Sequence, residues 1–291
     1  MVSGLSRRAL LVGGSALVAV FAAACALPGR QAAAQDPAVP AEVLYVSSVW
    51  VPAGTFTRGI EGPACDAAGN LYAVNLARQG TIGRVTPAGE ASVFVTLPAG
   101  STGNGIRFDS QGRMLVADYT GHNVLRVDMA SLQVSVFAHE PRMSQPNDLA
   151  ITSGDVLYAS DPNWGASSGR VWRIGTDGVV TLIEEGMGTT NGIEVGPQDT
   201  RLYVNESSQR NLWVYDLSPD GEPGTKRLLL QFADYGLDGM RCDVDGNLYV
   251  ARYGKGTVAK VSPEGQVLLE VSLTGTNPSN VAFGGPDGRT C

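Results

Sequence analysis

The chain has 291 residues and a formal net charge of −7, and hydrophobic residues make up 43% of it. That length is sufficient for one large domain with a well-packed core. The excess of acidic residues disfavours nucleic acid and anionic membrane surfaces as partners. The 37 glycines, spread between short apolar runs, indicate an all-β chain that is rich in turns.

The first 34 residues have the layout of an export signal peptide. Arg7 and Arg8 precede the apolar run ALLVGGSALVAVFAAACAL, and the small residues that follow predict cleavage after Ala34. The paired arginines fit either a twin-arginine signal or an ordinary secretory signal. We therefore expect an extracytoplasmic protein, periplasmic or secreted.

The rest of the chain is predicted to form a short linker over residues 35–42 and one domain over residues 43–291. Removing residues 1–34 leaves 18 Lys and Arg against 28 Asp and Glu, a net charge of −10. A lipid anchor at Cys25 is a weaker alternative to cleavage and would be the only membrane contact. The other cysteines are odd in number and widely spaced, which argues against a disulfide framework and a zinc site. They are Cys65, Cys242 and Cys291.

A sequence unit recurs six times along the predicted domain. Each copy opens with a side chain that carries oxygen and continues through an apolar strand, a turn and often a second strand, as in NGIRFDSQGRMLVA and DGMRCDVDGNLYVA. The steps between copies are 43, 43, 44, 47 and 42 residues. A period in the forties with strand-like runs is typical of propeller blades. The units begin at Glu61, Asn104, Asn147, Asn191, Asp238 and Asn280.

We therefore predict an all-β fold, a six-bladed β-propeller with four-stranded antiparallel blades. Gly-containing turns such as TPAGE, GTDGV and SPDGE would join the third and fourth strands of a blade. Residues 43–57 are predicted to supply the outer strand of the last blade and to close the ring. The sixth unit stops at Cys291 without the sequence for its next two strands, so the last blade is expected to be incomplete.

Some recurring residues are predicted to be structural. Asp66, Asp109 and Asp243 occupy turns, where an Asp side chain bonds to the nearby backbone. Cys65 and Cys242 each lie four residues after a unit start, a place that is mostly apolar in the other units, so these thiols are expected to be inert core residues.

The six residues that open the units should meet at one end of the central channel, because each first strand runs along the propeller axis. Any single Asn could merely favour a local turn at a strand start. Two of the six residues, Glu61 and Asp238, are acids and would repel each other unless a cation or a shared proton lay between them. Carboxylate and amide oxygens suit a hard divalent cation. Because none of these six residues is a His or a Cys, calcium is favoured over zinc, with another divalent cation as the alternative.

The chain resembles the senescence marker protein/gluconolactonase/regucalcin-like family in the stretches EGPACD, QPNDLAI, TNGIEV and LDGMRCDVDGNLYVARYGKGTV. The resemblance covers essentially all of residues 43–290. It implies a lactonase with a catalytic divalent cation, usually calcium, at the channel mouth. Asn104 and Asn280 would lie beside the metal and face substrate or water. The positions that match the family's metal ligands are Glu61, Asn147, Asn191 and Asp238.

Two features depart from the family pattern. Sugar lactonases of the family carry an Arg shortly before the third-unit Asn, where this chain has Met143, Ser144 and Gln145. No ring residue is a His, because the two histidines of the chain are His122 and His139. The resemblance therefore leaves the substrate open.

Asp238 is the candidate catalytic residue, as a metal ligand that also acts as the base or positions a water molecule. Direct nucleophilic attack by Asp238 is the alternative, and Glu61 is expected to be a ligand only. A cation that holds the carbonyl oxygen of a lactone would stabilise the developing oxyanion.

Loops at the mouth of the channel are predicted to contact the substrate through Tyr119, His122, Trp164 and Tyr253. Trp164 could instead pack between blades, and His122 is favoured as a loop residue over a base. The predicted function is metal-dependent hydrolysis of a small-molecule lactone or related ester. Two alternatives stay open: a non-catalytic ligand- or protein-binding propeller with a structural calcium, and phosphotriester hydrolysis at the same site.

Overall fold

A computed structural model describes residues 44–291, and these residues form five four-stranded antiparallel sheets. In every sheet the strands follow one another in chain order, so each sheet is a meander. First strands of neighbouring sheets contact each other, whereas the fourth strands are largely exposed. The first strands therefore surround a central axis, and the sheets are the blades of a propeller. We name them blades A to E in chain order.

Most strands have four to seven residues, which is usual for a propeller blade. Blade A consists of β1 Ala64–Cys65, β2 Leu71–Val74, β3 Thr81–Val85 and β4 Ala91–Thr96. Blade B consists of β5 Gly103–Phe108, β6 Met114–Asp118, β7 Asn123–Val127 and β8 Val134–His139. Blade C consists of β9 Leu149–Ile151, β10 Leu157–Asn163, β11 Ser168–Ile174 and β12 Val180–Met187. Blade D consists of β13 Thr190–Val195, β14 Arg201–Glu206, β15 Asn211–Asp216 and β16 Arg227–Gln231. Blade E consists of β17 Met240–Cys242, β18 Leu248–Arg252, β19 Thr257–Val261 and β20 Val267–Ser272.

The turns between first and second strands are held by the aspartates that the sequence assigns to them. Asp109 Oδ1 accepts hydrogen bonds from the backbone N–H groups of Gln111 at 3.0 Å and Arg113 at 2.9 Å. Asp66 and Asp243 accept the same pair of bonds in blades A and E. These side chains satisfy turn N–H groups that would otherwise need water, so their predicted structural role is confirmed.

The hydrophobic core lies between neighbouring blades. One cluster joins blades A and B through side chains such as Ile82, Ile106 and Val116, and three others join B to C, C to D and D to E. Full burial of each large apolar side chain contributes about 1.5–3 kcal/mol. The blades therefore stabilise one another face to face, which fixes the direction of every inner strand.

The prediction of six blades is wrong for the described residues. The sixth unit begins at Asn280, but residues 280–283 form no strand, and residues 284–290 contribute only an isolated bridge between Gly284 and Thr290. The 12 residues from Asn280 to Cys291 are too few for four strands, each of which would need about five residues. The sixth unit packs beside blade E instead, where Phe283 meets Tyr249 edge to face at 5.1 Å between ring centroids.

The N-terminal segment does not form the predicted outer strand of a last blade. Residues 44–57 contain no strand, and Phe56 makes an isolated antiparallel bridge to Leu76 of blade A. The hydroxyl of Ser47 donates to the carbonyl of Ser272, the last residue of β20, at 2.9 Å. This segment thus contacts both blade A and blade E.

Three predictions lie outside the described residues and stay predictions: the signal peptide over residues 1–34, the linker over residues 35–42 and the alternative anchor at Cys25. Within residues 44–291, no helix is long and apolar enough to cross a membrane. The thiols of Cys65, Cys242 and Cys291 are free. Burial raises the pKa of the Cys242 thiol to about 12, which suits an unreactive core residue.

Candidate active site

A cavity of about 470 Å³ opens at the end of the propeller where the repeat units begin. Five of the six unit-opening residues line this cavity, and Asn280 does not. We call these five residues the ring. Four of the five are buried: Asn104, Asn147, Asn191 and Asp238. The fifth, Glu61, is half-buried. Carboxylate and amide groups from five blades therefore line one cavity, although about 177 residues separate the first from the last of them.

Irregular inner strands aim these side chains. The pairing of β5 with β6 shifts register between Gly103 and Ile106, at Asn104. The pairing of β13 with β14 shifts register at the equivalent place, which contains Asn191. Such bulges re-aim a side chain and strengthen the local twist. A glycine follows the ring residue in both strands, and a Cβ at Gly192 would lie 2.5 Å from the carbonyl oxygen of Asp238. Glycine is needed here because the neighbouring inner strands approach so closely.

One side chain in each blade anchors the loop that precedes the ring residue. In blade C, Asp161 Oδ1 accepts hydrogen bonds from the backbone N–H groups of Ser144 at 2.7 Å and Gln145 at 2.6 Å. Blades B and D use an acid in the same way, and blades A and E use a donor to a backbone carbonyl. We call these five residues the loop anchors: Asn75, Asp118, Asp161, Glu206 and Arg252.

The two acids of the ring are poorly solvated and repel each other. Burial first and the nearby carboxylate of Asp148 second raise the pKa of Glu61 to about 8. The pKa of Asp238 is raised well above its usual value by burial first and by the charge of Glu61 second, against a stabilising hydrogen bond from the Asn191 side chain. Both acids therefore resist ionisation, and a divalent cation between them would stabilise their ionised forms.

The donors of the ring fit a hard divalent cation. Two carboxylates would neutralise its charge, and three amide side chains offer carbonyl oxygens. Asn104 Oδ1 is buried and has no hydrogen-bond partner, which is costly unless a ligand satisfies it. Within residues 44–291, no group of three or more His, Cys, Asp or Glu residues is arranged to hold a metal. The amides are thus an essential part of the donor set, as expected for calcium rather than zinc.

A second polar cluster lies one to three residues further along the inner strands than the unit-opening residues, and the sequence interpretation missed it. Arg107 Nη1 lies 3.3 Å from Asp148 Oδ1, and its Nη2 lies 3.0 Å from Glu194 Oε2. Arg241 Nη1 reaches the same two acids at 3.5 and 3.6 Å. We call these four residues the channel cluster. Its two arginines balance its two acids, so it needs no external ion.

The signal for the channel cluster was in the repeat alignment. The residue three places after each unit start is charged in units two, four and five, where it is Arg107, Glu194 and Arg241. Charged residues within otherwise apolar inner strands require partners. Asp148 stands where four other units have glycine directly after the ring residue.

The structure separates the remaining predicted site residues into two groups. Tyr119, Trp164 and Tyr253 line the cavity, whereas His122 does not. His122 sits between β6 and β7 with φ of 58°, and its backbone N–H bonds to the carbonyl of Asp118. Asn280 donates to Asp148 Oδ2 at 3.4 Å and also bonds to the Glu61 carboxylate, so it joins the ring to the channel cluster instead of facing substrate. The structure therefore places neither His122 nor Asn280 in the lining of the cavity, and their contact with substrate stays a prediction.

Blades with inner strands that converge on carboxylate and amide groups at a solvent-open cavity define a propeller protein with a candidate metal-assisted site. Residues 59–291 match the SMP-30/Gluconolactonase/LRE-like region family, and the chain belongs to that family. The family prediction is thus confirmed.

Similar proteins and solved structures agree with this assignment. A gluconolactonase of Zymomonas mobilis subsp. mobilis is 29% identical over 285 residues, covering 86% of this chain and 77% of that protein. The crystal structure of a calcium-binding protein, regucalcin, from Agrobacterium tumefaciens superposes with a TM-score of 0.70 at 23% identity, covering 79% of each chain. A gluconolactonase structure from Xanthomonas campestris gives 0.68 at 23% identity, covering 79% of this chain and 80% of that one. At these identities the two structures support the propeller fold.

Proposed function

We propose that the protein is a lactonase, a hydrolase that opens the ring of a sugar lactone or a related cyclic ester. The observation that carries the proposal is the pair of acids, Glu61 and Asp238, held with amide groups at a solvent-open cavity. Family membership and a relative named gluconolactonase support it. A binding platform alone would not require two mutually repelling acids at its mouth.

Glu61, Asn147, Asn191 and Asp238 would hold a divalent cation, and the donor set favours calcium. When bound, the cation would supply Lewis-acid polarisation of the lactone carbonyl. Glu61 would act only as a ligand. The unpartnered Asn104 Oδ1 would accept a hydrogen bond from substrate or water inside the cavity.

Asp238 would position the attacking water and accept its proton. Its backbone is held on both sides: its N–H donates to the carbonyl of Ala251 at 2.9 Å, and its own carbonyl accepts from Asn205 Nδ2 at 2.6 Å. A fixed backbone holds the carboxylate where it can orient the attacking water, which is what a general base requires.

The test is hydrolysis of sugar, aliphatic and acyl-homoserine lactones by the full chain, with and without EDTA and with calcium added back. Asp238→Asn should lower kcat by about 10²- to 10⁴-fold, the usual contribution of a general base. Asp245→Asn is the matched control, because Asp245 is exposed in a turn of blade E, and this variant should keep full activity.

Two outcomes would contradict the proposal. Activity that survives both EDTA and Asp238→Asn would reject the assigned site. Calcium binding in isothermal titration calorimetry without turnover of any lactone or ester would favour the binding propeller instead.

A further inference from the structure

Asn205 is a buried amide in the second strand of blade D, at a position where the other blades have small or apolar residues. It is the fourth residue of the motif LYVNE in β14, and its exposed fraction is 0%. Burying an amide costs free energy unless the amide is hydrogen-bonded, so the partners of Asn205 need an explanation. The residues at the same position in the other blades are Val74, Ala117, Ser160 and Ala251.

Both ends of the Asn205 amide bond to backbone groups of the ring strands. Its Oδ1 accepts a hydrogen bond from the N–H of Gly192 at 3.2 Å, and its Nδ2 donates to the carbonyl of Asp238 at 2.6 Å. Gly192 directly follows the ring residue Asn191, so the amide bridges the inner backbone of blade D to that of blade E. A Cβ at residue 192 would lie 2.6 Å from Asn205 Nδ2, and glycine is therefore needed for the amide to enter.

Blades B and C are joined at the equivalent place without any side chain. The N–H of Gly105 donates directly to the carbonyl of Asn147 at 2.8 Å. Gly105 directly follows the ring residue of blade B, and Asn147 opens the next unit. Between blades D and E, the Asn205 amide therefore takes the place of a backbone–backbone hydrogen bond.

The two ring residues that Asn205 bridges also contact each other through their side chains. The Asn191 amide donates a hydrogen bond to the Asp238 carboxylate. Glu206, which follows Asn205 in β14, accepts from the N–H of Gly188 at 2.7 Å and holds the loop before Asn191. The backbone is thus held on both sides of Asn191, and a single amide connects it to Asp238. Groups that hold ligands in this way control how well a site fits its cation.

We propose that Asn205 is a positioning residue that sets the separation of Asn191 and Asp238, and through it the affinity of the ring for a divalent cation. This inference rests on the proposed function and adds to it a residue that does not line the cavity. An amide with a merely structural role would stabilise the fold and leave the cation affinity unchanged. Calcium affinity measured beside thermal stability therefore separates the two roles.

The first experiment measures calcium binding of the full chain by isothermal titration calorimetry, together with its Tm. Asn205→Ala removes both ends of the bridge and should weaken calcium binding by about 10- to 100-fold, the usual effect of losing a group that orients a metal ligand. Tyr215→Phe is the matched control, because Tyr215 is buried in the same blade and does not line the cavity. This control loses the hydrogen bond from the Tyr215 hydroxyl to Glu184 Oε2, so it should lower the Tm and leave calcium affinity unchanged.

Asn205→Ser provides a second variant if Asn205→Ala does not fold. Serine is the residue that blade C has at this position. Its single hydroxyl can satisfy either the Gly192 N–H or the Asp238 carbonyl, but it is too short to span both. Asn205→Ser should therefore have a higher Tm than Asn205→Ala and bind calcium equally weakly.

The second experiment follows hydrogen exchange in the calcium-free protein, with mass spectrometry of the peptides. In both Asn205 variants the amide of Gly192 should exchange faster, because its hydrogen bond is lost or weakened. The amide of Gly105 is the internal control. It is bonded to a backbone carbonyl and should keep its protection.

The outcomes separate this inference from the proposed function. Calcium affinity that is unchanged in a folded Asn205 variant would overturn the positioning role and leave the lactonase intact. Unchanged exchange at Gly192 would overturn the bridge itself. A wild-type protein that binds no calcium would instead overturn the proposed cation site, and this inference with it.

Discussion

The ring at the cavity and the channel cluster behind it are both polar, yet they differ in how their charges are balanced. In the channel cluster, Arg107 and Arg241 face Asp148 and Glu194, so its charge is balanced within the protein. In the ring, Glu61 and Asp238 are affected by the negative charge of Asp148, and their hydrogen-bond donors are neutral groups. A balanced cluster stabilises the fold, whereas an unbalanced one is prepared for a ligand that brings the missing charge.

The largest expected effect comes from unbalancing the channel cluster. Asp148→Asn removes one of the two acids shared by the arginines and should lower the free energy of unfolding by about 3–5 kcal/mol, because it leaves two buried cations with Glu194 as their remaining acidic partner. Urea unfolding with and without calcium measures it, with Asp245→Asn as the control. A loss of less than about 1 kcal/mol, the value of a surface pair, would show that the cluster does not hold the inner strands together.

The equivalent substitution at the ring should weaken cation binding without unfolding the protein. Glu61→Gln removes one of two carboxylates from the donor set and should weaken calcium binding by about 100-fold, since charge count sets affinity in oxygen-ligand sites. Isothermal titration calorimetry measures the affinity, and Asp245→Asn again serves as the control. Unchanged affinity would place the cation elsewhere or remove it from the proposal.

The pH dependence of stability should distinguish the ring from the channel cluster. The pKa of Glu61 is raised to about 8 in the folded protein, so the folded state binds this proton more tightly than the unfolded state does. The stability that the bound proton contributes is complete below the unfolded pKa of about 4.5 and is lost as the pH rises towards 8.

The Tm of the calcium-free protein should therefore fall by several degrees over that interval, and calcium should restore more of it at pH 8 than at pH 5. Glu61→Gln should flatten the profile. A flat profile in the wild type would mean that the acids do not repel each other as inferred.

The smallest effect is expected at a loop anchor. Asp161→Asn keeps an acceptor for Ser144 and Gln145 but turns a donor towards Trp172 Nε1, so it should cost about 1 kcal/mol of stability. The change should raise KM for the lactone more than it lowers kcat, because it loosens the loop before Asn147 and leaves the backbone bonds of Asp238 in place. Asp177→Asn, in an exposed turn of the same blade, is the matched control. A drop in kcat alone would contradict the positioning role.

The blade pattern could be predicted because its causes are local. The Asp and Gly of each turn and the alternation of each strand depend on residues within one hairpin, and these identified blades A to E. The convergence of Glu61, Asn104 and Asp238 followed from the repeat period together with the direction of the inner strands. The loop anchors occupy the fifth residue of motifs such as LYASD and LYVNE, but their hydrogen bonds to the preceding loop are seen only in the structure.

The sequence by itself determined that the chain is a repeat of four-stranded β-units, with an oxygen-bearing side chain at the start of each inner strand. Only the tertiary structure decided that five units complete a blade, that residues 44–57 contact blade A, and that arginines neutralise Asp148 and Glu194 whereas the hydrogen-bond donors to Glu61 and Asp238 are neutral. Strand and turn formation depends on neighbours in the chain. The contact between blades A and E and the pairing of buried charges depend on residues that lie far apart in the chain. Arg107 and Asp148 are 41 positions apart, and Arg241 and Pro63 are 178 positions apart. The repeat pattern does not encode these contacts.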